Sequence, residues 1–307
     1  MADANKPLRT RVYVDGYNFY NGCLKRTPFK WLDLHQLFSS LLPTVSLAED
    51  GQEQSFALSP LAVKYFTAPI LVKFARSHDS VPSQEAYHKA LQLHLGQAIE
   101  VIPGYYDHRP ARAYLHEKGK QPDLSASTVE IWKLEEKQSD VALALHAYAD
   151  AVRGDIDHIV FATNDTDFVP AMEMIRRNTF VKVGLVIPTR DDVRKPNKDL
   201  ADQAHWVRSS IKDEELAAAQ LPLSVLSSGK SARKPISWYP RPDLLTPIFE
   251  EAKRVKGSAG AAWKWLQLPC AHLGNRTPIS MADDEASTTE LRAYMDQYDK
   301  EVLGKQK

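Results

Sequence analysis

The sequence predicts an α/β protein built on a parallel β-sheet, followed by a small all-α region. Short apolar segments alternate with segments of helical periodicity over the first two hundred residues. The segment 158–163, HIVFAT, is apolar almost throughout, as is typical of a central parallel strand. Beyond a Ser-, Lys- and Pro-containing segment at 227–242, only helical periodicity follows.

Five strand segments alternate with five helical segments, and their sequence positions predict how the sheet is wound. Right-handed crossovers predict the strand order 3-2-1-4-5, with helices covering the sheet. The winding would then change direction between strands one and four, and ligands bind outside the carboxyl ends of the strands at such a point. The predicted strands are 11–16, 61–70, 99–106, 158–163 and 181–188, and the predicted helices are 32–42, 83–95 (capped by Ser83), 138–154, 167–178 and 198–207.

The domain organisation follows from these patterns. We expect one large domain at 1–226, a linker at 227–242 and a small helical interaction domain at 243–307. Within the large domain, the polar stretch 107–123 predicts a long loop or a projecting arm, and loops of this length are commonly functional.

Composition excludes several classes of protein. The 39 Lys and Arg residues equal the 39 Asp and Glu residues, so any nucleic-acid site must be a local patch. The two cysteines lie far apart, which argues against a disulfide framework or a zinc site and fits a reducing compartment. With no apolar signal segment and no apolar run long enough to span a bilayer, we expect a soluble cytoplasmic protein.

Four aspartates are predicted to meet at one edge of the sheet. Asp15 ends the first strand, Asp165 and Asp167 follow the fourth, and Asp140 lies in the first turn of the helix that leads into the fourth. So many carboxylates in one crevice cannot all ionise without a neutralising cation. Mg²⁺ and Mn²⁺ prefer oxygen ligands and keep several bound waters, so they fit such a site. A metal ion held there could activate a water for attack on a phosphodiester.

The alternative interpretation is structural. A single aspartate after a strand often caps a helix or forms a turn, and Asp167 in particular could cap the helix that follows it. The interpretation as a metal site therefore depends on all four aspartates lying together at this edge of the sheet. The side-chain amides of Asn18 and Asn164 could orient the ligands or bind a metal-bound water.

Three ordered motifs, VYVDGYNFY, LEEKQSDVALALHAYADA and ATNDTDF, resemble those of the NYN family of PIN-like nuclease domains. The resemblance extends over about residues 10–240. It implies a PIN-like sheet and a metal-dependent endoribonuclease in which Asp15, Asp140, Asp165 and Asp167 bind the metal, with Asn18 in support. His146 occupies a position where many members have an acid, and Asp150 fits a sub-branch that has a histidine there and an acid four residues later, so both are secondary candidates. The alternative interpretation of His146 is a histidine with satisfied partners in the core or at its rim.

Cations near this edge are candidate contacts for single-stranded or structured RNA, and aromatic residues lie among them in the arm. Cations can hold phosphates and aromatic rings can stack on unpaired bases. A solvated surface loop is the alternative interpretation for each residue taken alone. The candidate contacts are Arg109, Arg112, Lys137, Lys195 and Lys198.

Residues 243–304 resemble the toxin-binding domain of Xre/MbcA/ParS-type antitoxins, through the WL helix, the LGNRTPI turn and a final helix. The resemblance implies binding of a partner protein or self-association. A second functional hypothesis is therefore a toxin–antitoxin-like or regulatory protein-binding module with a weak or vestigial nuclease site. A third is a phosphatase or a DNA nuclease, because a carboxylate-bound metal does not by itself select the phosphoester.

Overall fold

The computed structural model describes residues 6–49, 52–116, 118–119, 121, 127–190 and 193–302. The chain divides into two compact units, Met1–Arg233 and Lys234–Lys307. Residues 227–242, which the sequence predicts as a linker, contain a strand and a helical turn, and the boundary between the units lies among them.

In the part of the chain that the structure describes, the first unit contains a six-stranded parallel sheet and two separate antiparallel hairpins, Tyr105–Tyr114 with Thr128–Lys137 and Ser224–Ser227 with Lys230–Arg233. The sheet order is β3-β2-β1-β6-β7-β8, so the winding changes direction between β1 and β6. A short antiparallel pair, Ala48–Glu49 with Gln52–Glu53, lies outside the sheet. The strands are β1 (Leu8–Asp15), β2 (Phe56–Thr67), β3 (Ile99–Pro103), β4 (Tyr105–Tyr114), β5 (Thr128–Lys137), β6 (His158–Ala162), β7 (Lys182–Val186), β8 (Trp206–Arg208), β9 (Ser224–Ser227) and β10 (Lys230–Arg233).

The predicted order of five strands, 3-2-1-4-5, does not match this sheet, although the α/β class does. One reason is that residues 206–208 form an edge strand, whereas the sequence predicts a helix over 198–207. The indole of Trp206 packs against Gly184 of β7, where a Cβ atom would lie 2.1 Å from the ring. Glycine at this position therefore allows a sixth strand to pair with β7.

The second reason for the mismatch is the stretch 107–123, the predicted loop or arm, because its residues up to Tyr114 form a strand. Residues Tyr105–Tyr114 pair with Thr128–Lys137 over ten consecutive positions, so β4 and β5 form a hairpin that follows the third sheet strand directly. The strand predicted at 99–106 thus breaks at Gly104, and its end belongs to the hairpin. Lys120, Pro122 and Asp123 of the predicted arm lie outside the described residues.

Seven α-helices surround these strands in the described residues of the first unit. The helix predicted at 83–95 begins at Ser80, because Pro82 is tolerated in a first turn; Ser83 is therefore buried inside the helix and is not its cap. The helices are α1 (Gly16–Phe19), which continues as a π-helical turn (Tyr20–Leu24), α2 (Leu34–Leu41), α3 (Ser80–Leu95), α4 (Ser139–Arg153), α5 (Val169–Asn178), α6 (Lys198–Ala201) and α7 (Asp213–Ala218).

One continuous apolar core packs α4 and α5 onto the sheet. It joins rings from the three central strands, Tyr13, Phe66 and Phe161, whose neighbouring ring centroids lie 6.1 to 6.4 Å apart. Leu143 of α4 and Met172 of α5 are fully buried against this cluster. Burial of the apolar faces of both helices fixes the layers of the fold.

A buried ionic cluster adds a specific constraint on α4. Asp150, only 1% exposed, accepts hydrogen bonds at Oδ2 from Lys64 Nζ at 2.7 Å, Arg11 Nη1 at 2.7 Å and the Tyr13 hydroxyl at 2.5 Å. Arg153 binds its other oxygen. Burial alone would raise the pKa of Asp150, but the hydrogen bonds from Lys64, Tyr13 and Arg11 hold it well below its usual range. The cluster therefore ties α4 to β1 and β2.

A buried histidine links strands at the opposite end of the sheet. Trp206 donates its indole N–H to Nε2 of His158 at 3.0 Å, and Thr10 Oγ1 lies 3.0 Å from Nδ1. Because an indole can only donate, the proton of the ring must sit on Nδ1 and point to Thr10. Burial lowers the pKa of His158 to about 3, so the ring stays neutral.

The second unit is all-helical. Trp263 is buried, with its ring centroid 4.8 Å from that of Phe249, whereas Trp265 is half-buried with Lys256 Nζ 5.2 Å from its ring centroid. Its α-helices are α8 (Pro242–Lys256), α9 (Ala259–Leu266) and α10 (Glu285–Val302), with helical turns at Ile236–Trp238, Ala271–Leu273 and Pro278–Asp283. Across the described part of both units, no helix is long and apolar enough to cross a membrane.

The ionic cluster generates a stability prediction. Asp150→Asn should lower the free energy of unfolding by about 3–5 kcal/mol, because it leaves the buried cations Lys64 and Arg11 without their carboxylate. Urea denaturation at neutral pH measures the change. As a control, Asp155→Asn removes an exposed partner of Arg153 and should cost less than about 1 kcal/mol. Equal small losses for both variants would contradict a clamping role for Asp150.

Candidate active site at the acidic edge of the sheet

Asp15 is the buried centre of the candidate site. It is the last residue of β1, and its Oδ1 accepts the backbone N–H of Asn18 at 2.9 Å, which caps α1. Its Oδ2 accepts the hydroxyl of Thr163 at 2.8 Å. The capping role that the sequence leaves open is therefore present. It does not exclude a second role, because each carboxylate oxygen keeps a further lone pair.

Thr163 is a positioning residue to which the sequence analysis assigned no role. It is fully buried after β6, and the same Oγ1 that donates to Asp15 accepts the backbone N–H of Asp165 at 3.1 Å. Thr163 thus connects the ends of two neighbouring strands. In the sequence, this role could have been inferred from the threonine hydroxyl at the end of an otherwise apolar strand, immediately before the acidic motif.

The other predicted acids lie at the same edge but nearer to solvent. Asp140 is exposed in the first turn of α4, and Asp167 is exposed after β6. Asp165 is half-buried and caps the turn Thr166–Phe168 by accepting the N–H of Asp167 at 3.0 Å. The cap of this turn is therefore Asp165, not Asp167.

Electrostatic repulsion couples these carboxylates. Burial, opposed by the hydrogen bonds from Asn18 and Thr163, raises the pKa of Asp15 to about 7, and the charges of Asp140 and Asp165 contribute to the increase. The pKa of Asp140 is also raised, by partial desolvation of its carboxyl group among its neighbours and then by the charges of Asp165, Glu136 and Asp167. Near neutral pH, Asp15 is therefore close to the midpoint between its protonated and ionised forms.

Glu136 is a further carboxylate that the sequence analysis did not identify. Its Oε1 accepts the Ser139 hydroxyl at 2.5 Å, and its Oε2 accepts the Tyr106 hydroxyl at 3.1 Å. These bonds join the base of the hairpin to the start of α4. Gly104 permits the close approach, because a Cβ atom there would lie 2.2 Å from Ser139 Oγ.

The oxygen atoms at this edge suit a hard cation, but they do not surround a single position completely. Among the described residues, no three His, Cys, Asp or Glu side chains are grouped so that they could hold a metal ion. The predicted set of four carboxylate ligands is therefore not assembled around one point. Mg²⁺, however, is usually held by one or two carboxylates and retains several waters. The buried Oδ1 of Asn18, beside Asp15, has no hydrogen-bond partner and is a suitable additional oxygen.

Three predicted supporting residues have structural partners instead. Asn164 donates from Nδ2 to the carbonyl of Lys195 at 3.1 Å and accepts the N–H of Asn197 at 2.9 Å, so it holds the loop that carries Lys195. His146 lies 3.2 Å from Lys64 Nζ and belongs with the Asp150 cluster. Along α4, Asp150 is about 15 Å from Asp140. Asp150 and His146 therefore do not support the acidic edge directly.

The predicted substrate cations lie on two surfaces. Lys195 is exposed on the loop that Asn164 holds, and Lys198 is exposed at the start of α6, which follows this loop. On the hairpin, Glu135 pairs with Lys133, with Lys137 at 2.8 Å and with Arg109 at 3.5 Å. Lys133 and then Lys137 lower the pKa of Glu135 to about 2. Arg112 is exposed nearer the hairpin tip. Surface ion pairs of this kind are weak, so the cations can exchange Glu135 for another anion.

The sheet thus changes its winding direction between β1 and β6, and the predicted aspartates lie at this edge. Comparison with known proteins identifies the domain that carries them. Residues 63–208 match the NYN domain, a nuclease family. The match includes Asp140, Asp165 and Asp167 but begins after Asp15.

A full-length relative extends the comparison. The chain is 45% identical, over 299 residues and 95% of both chains, to 6-hydroxy-3-succinoylpyridine 3-monooxygenase HspA of Pseudomonas putida. The chain therefore belongs to the same protein family as this relative, and its residues 63–208 match the NYN domain. A solved protein of unknown function from Vibrio parahaemolyticus is 20% identical, covering 70% of this chain and 98% of its own, with a TM-score of 0.39.

The raised pKa of Asp15 generates a prediction about stability. Between pH 4 and pH 7 the native state binds more protons at Asp15 than the unfolded state, so this residue's contribution to stability falls as the pH rises. Without divalent cations at pH 8, Asp15→Asn should therefore be about 1–4 kcal/mol more stable than the wild type. The difference should vanish near pH 4.

Thermal or urea unfolding at the two pH values measures the effect, with the exposed Asp167→Asn as the matched control. A destabilised Asp15→Asn variant at pH 8 would show that the ionised carboxylate is not under strain.

Proposed function

We propose that this chain is a metal-dependent endoribonuclease that hydrolyses RNA phosphodiesters at the acidic edge of its sheet. The observation that carries the proposal is the buried Asp15, with its pKa near 7 and with Asp140 and Asp165 close enough to raise it further. A crowded set of carboxylates is costly unless a cation neutralises it. Membership of the matched domain in a nuclease family supports the same reaction class.

In this proposal Asp15, Asp140, Asp165 and Asp167 are the ligands of Mg²⁺ or Mn²⁺, one or two directly and the others through retained waters, with Asn18 in support. When bound, the cation supplies neutralising charge and polarises the phosphodiester. The remaining carboxylates orient the attacking water, and Thr163 keeps Asp15 and the Asp165 turn in register. The candidate phosphate contacts are Arg109, Arg112, Lys137, Lys195 and Lys198.

Removing two of these charges tests the assignment. Asp15→Asn combined with Asp165→Asn should lower the rate of cleavage of single-stranded RNA with Mn²⁺ by about 100-fold or more. Asp155→Asn, which removes an exposed acid outside this edge, serves as control. Circular dichroism verifies that each variant is folded. A folded double variant that cuts RNA at the wild-type rate would overturn the proposal.

A second candidate function is hydroxylation of a hydroxypyridine, and the 45% identical relative that aligns over 95% of both chains favours it. A monooxygenase inserts one atom of O₂ and needs two electrons from an external reductant. In this chain Asp15, with its pKa near 7, could accept the proton of a ring hydroxyl. Lys195 and Lys198 could pair with the carboxylate of a succinoyl chain.

Both candidates use the same edge, so one pair of assays separates them. The purified chain is incubated with single-stranded RNA and Mn²⁺, and in parallel with 6-hydroxy-3-succinoylpyridine, a reduced nicotinamide cofactor and O₂. We expect shortened RNA and no substrate-dependent oxidation of the cofactor. Consumption of the pyridine with intact RNA would replace the nuclease proposal by the second candidate.

The protein-binding role proposed for residues 243–307 remains a prediction. The relative aligns with 95% of the chain, so most of the helical unit is common to both proteins. The helical unit is therefore shared with this relative, whichever reaction the first unit performs.

A further inference from the structure

One face of the β4–β5 hairpin carries a row of rings, among which Trp132 is exposed and Tyr106 and His108 are half-buried. Residues opposite each other in an antiparallel pair share a face. The pairs Tyr106 with Glu136, His108 with Leu134 and Pro110 with Trp132 therefore lie on the same side. We call Tyr106, His108 and Trp132, together with Phe74 beside them, the aromatic face.

The rings of the aromatic face form a short row. The ring centroid of His108 lies 6.0 Å from that of Trp132 and 5.3 Å from that of Phe74. Trp132 is 64% exposed and is the only exposed tryptophan of the six in the chain, all of which lie in the described part. Exposure of so large an apolar ring next to other rings is typical of a ligand surface.

The aromatic face is continuous with the acidic edge. Tyr106, at its inner end, donates its hydroxyl to Glu136, which also accepts the hydroxyl of Ser139, the residue before Asp140. Trp132 is four residues further out along β5, which corresponds to about 13 Å. A strand that occupies the aromatic face would therefore lead directly to the carboxylates.

The charges on the two sides of the hairpin differ. Arg112 shares the side of the aromatic face, with Glu130 opposite it and Glu136 at the inner end, whereas Arg109, Lys133 and Lys137 lie on the other side, around Glu135. Arg112, at the outer end of the row of rings, is therefore a cation of this face that can hold a phosphate of a strand stacked on it.

We propose that unpaired bases of an RNA strand stack on the aromatic face, with Trp132 as the main stacking ring, while the adjoining phosphodiester lies at the acidic edge. This inference rests on the proposed nuclease function and defines its substrate as single-stranded RNA. A duplex does not fit, because the bases inside a duplex already stack on one another and cannot present a free face to Trp132.

Binding to an uncut strand tests the inference independently of catalysis. The Asp15→Asn, Asp165→Asn chain is mixed with a fluorescent single-stranded RNA oligonucleotide and with a duplex of equal length, and anisotropy reports the affinity. Adding Trp132→Ala should weaken single-strand binding about tenfold or more and leave duplex binding unchanged. Trp132→Phe should restore most of the affinity, which would exclude a folding defect.

Phe180→Ala is the matched control, because Phe180 is fully exposed and precedes β7, at the amino ends of the strands. It should leave both affinities unchanged. Single-stranded RNA should also quench the fluorescence of the parent chain, and this quenching should be absent in Trp132→Ala.

The outcomes separate this inference from the proposed function. If the wild type cuts RNA and the Trp132→Ala substitution leaves single-strand affinity unchanged, the stacking role is wrong and the nuclease proposal stands. If the wild type neither binds nor cuts RNA, both fail. Quenching of Trp132 by a hydroxypyridine, with no response to RNA, would overturn RNA as the occupant of the aromatic face.

Discussion

The buried ion cluster of Asp150 with Arg11, Lys64 and Tyr13 is the constraint on which the rest of the site depends. It joins one carboxylate of α4 to side chains of β1 and β2, the two strands on one side of the switch point. Four hydrogen-bonding partners, counting Arg153, compensate the charge that burial would otherwise penalise. Because the helix cannot slide without breaking these bonds, its first turn delivers Asp140 to the edge where β1 ends in Asp15.

At the acidic edge, hydrogen bonds position Asp15 while repulsion between carboxylates opposes its ionisation. Thr163 and the N–H of Asn18 hold Asp15 in one orientation, while burial and the neighbouring carboxylates disfavour its charge. The acids share an edge without closing on a single point. Such an arrangement is suited to a hydrated cation or to a proton near neutral pH, and these are the two species that the proposed reactions require. The hairpin adds a surface of rings and cations that begins at Glu136 and leads outward.

The sequence predicted what depends on local pattern. The apolar run before Asn164 marked the central strand, and the acids after the strands indicated the functional edge, because parallel strands end on the same side. The sequence could not predict the hairpin, since its strands are exposed on both faces and lack a buried alternation. It also could not assign Asp150 and His146, whose roles are set by Arg11 and Lys64, more than eighty residues away in the chain. The role of Thr163 depends on a single hydroxyl that contacts two strands.

The central claim is that burial and neighbouring carboxylates destabilise the ionised form of Asp15, and that a bound cation would stabilise it. The titration of Asp15 tests this claim most directly. The chemical shift of the side-chain carboxyl carbon of Asp15 can be followed by NMR from pH 4 to pH 9, with and without Mg²⁺. The account predicts a pKa of about 7 in the absence of the metal and a clearly lower pKa in its presence. An Asp15 that titrates near pH 4 under both conditions would contradict it.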